Sequence, residues 1–177
     1  MDCKRLLIAW ALGEVSEDLL PGIAREMVET GFDSPSLQAL AESDLLEQAE
    51  LSALFVAALS ELGFEPVTVG DALLERAKDI AEGIAEGSIN PFEGAYRIWL
   101  IRRDQGGPDV LEPFGKIVEK DLAEVDALLH NGSATAVDLL RARRSEIDHR
   151  YEGLILDEAR HLVSAGAACL GPDADFD

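Results

Sequence analysis

The sequence predicts an all-α fold. Apolar residues recur at steps of three and four and seldom at two, and the punctuation between the recurrent segments consists of helix caps. No segment reads as a strand. The expected architecture is a single bundle-like domain over residues 1–177, with about seven helices and a long helix at its C-terminal end. A division into sub-lobes 1–64 and 67–170 is the alternative, because a glycine stop and a proline fall within the short stretch Gly63-Phe64-Glu65-Pro66.

The first helix covers about Asp2 to Leu12 and ends at Gly13. The second starts near Pro21, whose missing N–H has no intrahelical partner to lose in a first turn, and runs to Thr30 before Gly31. Ser34-Pro35 opens a short third helix with Leu37 and Leu40. Ser43 is expected to cap a fourth, whose stripe of Leu51, Leu54, Phe55, Ala58, Leu59 and Leu62 stops at Gly63. Thr68 and Asp71 form an acidic variant of a capping box ahead of Leu73, Leu74, Ala77, Ile80, Ala81 and Ile84, and Gly87 ends that helix.

Asn90-Pro91-Phe92-Glu93 combines an N-cap, a proline at the first position and a glutamate at the third, and the helix it opens carries Tyr96, Ile98, Trp99 and Leu100. Gly106-Gly107-Pro108 is a break. A longer helix runs from about Val110 to His130, its first turn disturbed by Pro113 and Gly115, with Ile117, Leu122, Val125, Leu128 and Leu129 at helical spacing. Asn131-Gly132-Ser133 is a turn and cap before the longest element, which carries Val137, Leu140, Ile147, Tyr151, Leu154, Ile155 and Leu162. From Ala134 to Ser164 this helix would reach roughly 45 Å, longer than a compact domain of this size is wide, so a homodimer is expected. The tail 171–177, with a proline and alternating acids, is expected to fray.

Charge bears on partners more than on fold. Between Arg5 and Arg76 there are fourteen acidic residues and one basic, Arg25, so this stretch supplies −13 of the total −20. Such a surface repels polyanions and steers basic partners. Residues 91–177 hold ten basic and seventeen acidic residues, so the arginines Arg97, Arg102, Arg103, Arg141, Arg143, Arg144, Arg150 and Arg160 are read as partners, within the chain or between copies, for carboxylates of the acidic N-terminal half rather than as a nucleic-acid site. The longest apolar run, Leu6 to Leu12, is too short to span a membrane, and no cleavage-site pattern follows the N-terminus. A cytoplasmic location is expected. Two cysteines near opposite ends, Cys3 and Cys169, give no disulfide framework and no metal spacing.

Three constellations carry candidate residues. Glu146 with His149 and Glu158 with His161 repeat the Glu-x-x-His spacing that di-iron helical proteins use on separate helices of a bundle. On one straight helix the twelve-residue offset separates the pairs by roughly 18 Å and turns them by roughly 120°, so they share a metal only if the helix breaks at Gly153. No cofactor is assigned on this basis, and a metal-dependent helical enzyme stays as the rival account. Phe92, Tyr96, Trp99 and Arg103 lie on one helical face and, with Tyr151, have the residue types of interface hot spots; the alternative is that the stripe is core. Glu42, Asp44, Glu47 and Glu50 cluster at the start of the fourth helix and are the acidic residues chosen as a binding candidate. No nucleophile–base pair or phosphate-cradling loop is evident, so no catalytic residue is assigned.

The segments Gly31-Phe32-Asp33-Ser34-Pro35-Ser36-Leu37-Gln38-Ala39-Leu40-Ala41 and Glu86-Gly87-Ser88-Ile89-Asn90-Pro91-Phe92-Glu93-Gly94-Ala95-Tyr96-Arg97-Ile98-Trp99 resemble segments of uncharacterised bacterial helical proteins. The resemblance covers roughly the first hundred residues and implies a bacterial cytoplasmic origin, with no activity to transfer. The functional expectation is an acidic helical module that binds a basic protein, of inhibitor or immunity type; a self-associating structural protein is the other alternative.

Overall fold

The computed structural model describes residues 3–43, 47–130 and 136–167, with the backbone alone for residue 125 and for 128–130, 136–148 and 166–167. Among the described residues there are eight α-helices, two 3₁₀ turns and no strand, so the chain is all-α. The helices are α1 (Cys3–Ala11), α2 (Leu20–Glu29), α3 (Pro35–Ala41), α4 (Gln48–Glu61), α5 (Val69–Ala85), α6 (Pro91–Asp104), α7 (Glu112–His130) and α8 (Ala136–Ala167). Two compact units divide the chain between Ala72 and Leu73, within α5. No helix among the described residues is long and apolar enough to cross a membrane.

In the first unit α2, α3 and α4 pack together over Leu20, Ala24, Met27, Leu37, Leu40, Leu51, Phe55, Ala58 and Leu59, with α1 contributing Leu6, Leu7 and Trp10 at the margin. Trp10 meets Phe55 edge to face, with ring centroids 5.0 Å apart, a favoured aromatic geometry. Helices α2 and α4 end alike. Gly31 (φ 99°) and Gly63 (φ 79°) take the left-handed conformation that a β-carbon disfavours. The next N–H, of Phe32 or Phe64, then donates to the carbonyl five residues back, Met27 or Leu59. Each turn delivers a phenylalanine, and the two rings meet at 6.1 Å.

The short α3 is held at its N-terminus from two sides. The Ser34 hydroxyl accepts from Leu37 N–H at 3.2 Å, the expected cap. From the end of α4, the Glu61 carboxylate accepts from Ser36 N–H (2.9 Å) and the Ser36 hydroxyl (2.7 Å), placing negative charge where the helix dipole favours it. These hydrogen bonds hold the Glu61 carboxyl below its ordinary pKa, and the unfolded chain therefore takes up its proton first. The resulting stabilisation is present above the unfolded value, about 4.3, and is lost as pH falls through the lower folded value. In urea titrations from about pH 7 to 3, Glu61→Ala is expected to sit below wild type at neutral pH and to converge with it in acid. An offset that stays constant over that range would show that the charge has no part in it.

The start of α4 departs from expectation. Ser43 does not cap it: its hydroxyl donates to the Leu40 carbonyl at 2.6 Å and so closes α3. Glu47 takes the cap position, and the Glu50 carboxylate reaches back to accept from Glu47 N–H at 3.2 Å. Leu45 and Leu46, between the two, lie outside the described residues.

Helix α5 opens with Thr68 at the cap, as expected, although the Asp71 carboxylate meets its hydroxyl and not its N–H. The Thr68 hydroxyl accepts from Asp71 N–H (3.1 Å) and donates to the Asp71 carboxylate (2.6 Å). In the second unit α6, α7 and α8 pack on one another, burying Ala95, Ile98, Trp99, Ile101, Phe114, Val118, Tyr151, Ile155, Ala159 and Leu162. Asn90 caps α6 by accepting from Phe92 N–H (3.0 Å) and Glu93 N–H (3.2 Å). The disturbed start of α7 resolves into a 3₁₀ turn, Asp109–Leu111, after which Pro113 falls within the first turn of the helix and costs no hydrogen bond.

Helix α8 has 32 residues, about 48 Å at 1.5 Å rise per residue. Its C-terminal half packs in cis, since Tyr151, Ile155, Ala159 and Leu162 are all buried within the unit. The turn and cap expected at Asn131-Gly132-Ser133, the Ala134 start, Cys169 and the tail 171–177 fall outside the described residues.

Candidate protein-binding surfaces

Of the acidic residues between Glu14 and Asp71, eleven are exposed, Glu17 is half-buried and Asp44 lies outside the described residues. Glu42 is the C-cap of α3, while Glu47 and Glu50 are the first carboxylates of α4. The three therefore flank one α3–α4 connection. Their carboxylates face water, where an ion pair is weak but a summed potential still acts over about 8–10 Å at moderate salt. The geometry suits long-range steering more than tight local binding.

The second surface lies on α6–α8. A groove of about 520 Å³ is lined by Phe92, Tyr96, Ile117, Val118, Leu122 and Ile155, with Asn90, Glu93 and Asp121 supplying its polar margin. Tyr96, an interface candidate for which core was the alternative, is 44% exposed, and Leu122, from the apolar stripe of α7, is 45% exposed. Leu122 is left partly bare because Phe92 and Tyr96 of α6 and Ile155 of α8 wall the groove without closing over it. Sequence spacing placed Leu122 on the apolar face of α7. What it lacked was any sign of which part of that face the neighbouring helices leave open.

The aromatic stripe of α6 divides along its length. Tyr96 stands at the groove, and its ring packs on Trp99 with centroids 5.3 Å apart. Trp99 is 7% exposed, its indole N–H donating to the Glu119 carboxylate at 3.4 Å. Arg103 caps the stack with its guanidinium 4.0 Å from the Trp99 ring centroid, a cation–π arrangement. Arg103 also donates twice to Asp104, at 2.5 and 2.8 Å. That pairing raises the arginine's pKa and lowers the aspartate's, so both stay charged over the ordinary pH range.

Tyr151 is 2% exposed and belongs to the α7–α8 seam. Its hydroxyl donates to the Glu124 carboxylate at 2.6 Å, and Arg150 donates to the same carboxylate at 3.2 Å. Burial, then the bond to Glu124, pushes the phenol's pKa up.

Arg102, Arg150 and Arg160 pair locally, as Arg103 does with Asp104. Arg102 meets Asp109 (2.8 Å) and Glu112 (3.8 Å), Arg150 meets Glu124, and Arg160 meets Asp157 (3.6 Å). These partners belong to the second unit, not to the acidic N-terminal half, because helix neighbours and adjacent turns reach an arginine before distant chain does. Arg141, Arg143 and Arg144 have no described side chains.

Helix α8 runs unbroken through Gly153, so the Glu-x-x-His pairs keep their full helical separation. His149 faces Glu152 at 3.5 Å and is exposed, His161 is exposed, Glu158 is half-buried, and the Glu146 side chain is not described. Among the described residues no three histidine, cysteine, aspartate or glutamate side chains group to hold a metal ion.

Comparison with known proteins gives a partial likeness. Over 86 residues the chain is 33% identical to a protein named Regulatory protein RecX from Halorhodospira halophila (strain DSM 244 / SL1), covering 48% of this chain and 50% of that protein. The chain thus matches about half the length of this curated relative. No family model matches it, and no solved structure does.

Proposed function

We propose that this chain is a regulatory protein that acts by binding another protein, and that the acidic exterior of its first unit steers a basic partner to it. The observation that carries the proposal is the exposure of eleven carboxylates between Glu14 and Asp71, in a stretch with Arg25 as its one basic residue. A surface of one sign raises the association rate of an oppositely charged partner and does so most at low ionic strength. The regulatory name of the partial relative is consistent with a binding role. In this account Glu42, Asp44, Glu47 and Glu50 are the residues to alter first.

The test replaces all four as Glu42→Gln, Asp44→Asn, Glu47→Gln and Glu50→Gln. Glutamine at 50 keeps an acceptor for Glu47 N–H, so α4 should still start in place. With a captured partner in hand, the variant is expected to associate about tenfold more slowly at low salt and to approach wild type at high salt. An unchanged association rate at low salt would remove this surface from the account.

A further inference from the structure

The groove on α6–α8 combines an apolar floor with carboxylates at its margin. Phe92, Ile117, Val118 and Ile155 form the floor, Tyr96 and Leu122 stand half-exposed, and Glu93 and Asp121 supply the negative charge. Apolar surface of this kind left open to water marks a place where another apolar surface fits. The lining offers no strand edge, so an extended segment would gain no main-chain ladder, whereas a helix brings its backbone already hydrogen-bonded and presents side chains at i, i+3, i+4 and i+7. The two carboxylates fix the sign of what flanks that apolar face.

We propose that this groove takes up an amphipathic helix of another protein, with its apolar residues on Phe92, Tyr96 and Leu122 and a flanking lysine or arginine against Glu93 and Asp121. The proposal rests on the reading that the chain works by binding a protein, and it adds where and with what chemistry. Electrostatic steering acts on the rate of encounter and docking on the lifetime of a complex, so the two readings are tested separately.

The probe is a synthetic Leu/Lys amphipathic helix of about 18 residues, roughly 27 Å long, with a composition-matched scrambled Leu/Lys peptide and a Leu/Glu helix as comparisons. Fluorescence anisotropy should give the Leu/Lys helix a Kd on the order of 10 µM, and the other two peptides at least about tenfold weaker binding. The variant Tyr96→Ser with Leu122→Ser should keep the wild-type helical circular dichroism and a cooperative melt and lose about tenfold in Leu/Lys affinity. Glu93→Lys with Asp121→Lys should turn the preference toward the Leu/Glu helix.

Equal binding of the helical and scrambled Leu/Lys peptides would overturn the proposal. So would loss of Leu/Lys binding on neutralising Glu42, Glu47 and Glu50 with no loss in the Tyr96 and Leu122 variant, since general attraction to an acidic protein would then be the cause. If light scattering shows wild type to self-associate and the Tyr96 and Leu122 variant to be monomeric, the occupant is a second copy and the proposal falls. Failure of the peptide test beside intact salt-sensitive capture would sink the groove alone. Intact peptide binding beside salt-insensitive capture would sink the steering surface and leave the groove.

Discussion

Phe55→Ala is expected to lower the stability of the protein by about 3–5 kcal/mol, a large part of the roughly 5–15 kcal/mol that holds a domain folded. Phe55 is fully buried where α2, α3 and α4 meet, and its ring is the edge-to-face partner of Trp10. Alanine suits the middle of a helix, so the loss would come from the cavity and the broken ring pair and not from the backbone of α4. Urea unfolding followed by far-ultraviolet circular dichroism is the measurement. Val56→Ala, one residue on and 53% exposed, is the control and should shift the midpoint little. A small effect at both positions would mean that the packing of the first unit is not as described.

Tyr151→Ala is expected to cost a comparable amount, about 3–5 kcal/mol, because the ring is buried and its hydroxyl, beside Arg150, ties α8 to Glu124 of α7. Tyr151→Phe separates the ring from the hydroxyl. It keeps the packing and removes one hydrogen bond, so a loss of only about 1 kcal/mol is expected, the more so because Glu124 keeps Arg150.

The same tyrosine gives an alkaline signature. Its folded pKa is raised, so its stabilisation is complete below the unfolded value of about 10 and is lost as pH rises through the folded one. The phenylalanine variant should therefore close on wild type as the solution is made alkaline. A Tyr151→Ala variant as stable as wild type would show that α8 does not pack in cis at this point.

How legible this molecule was in its sequence differs from level to level. Ser34, Thr68 with Asp71, and Asn90 each occupy the cap that local rules assign, since a cap depends on three or four consecutive residues. Ser43 shows the limit of that logic. A serine near a helix end can serve a carbonyl behind it as well as an N–H ahead, and here the carbonyl of Leu40 wins while Glu47 takes the cap.

Buried stripes were readable by the same periodicity, from Leu51–Leu59 on α4 to Leu73–Ile84 on α5. Periodicity tells which face of a helix is apolar; it says nothing of how much of that face the neighbours cover. For this reason the half-exposure of Leu122, and the groove it marks, emerges only when α6, α7 and α8 are seen together.

The division of the α6 stripe has the same origin. Tyr96 and Trp99 are one turn apart on one face, yet one is 44% exposed and the other 7%, because Glu119 and Gly115 of α7 lie against the tryptophan. Arginine pairing was misplaced for a related reason. Net charge suggests a distant acidic half as partner, while the carboxylates that reach Arg102, Arg150 and Arg160 are those on adjoining turns and helices.

Steering of a basic protein partner by the acidic first unit is tested most directly by affinity capture from native lysate at low and at high salt, with identification of what is retained. The expected result is a specific basic protein, held at low salt, released at high salt, and lost when Glu42, Asp44, Glu47 and Glu50 are neutralised together. Retention that is indifferent to salt and to those four carboxylates, or a retained protein that is itself acidic, would contradict it.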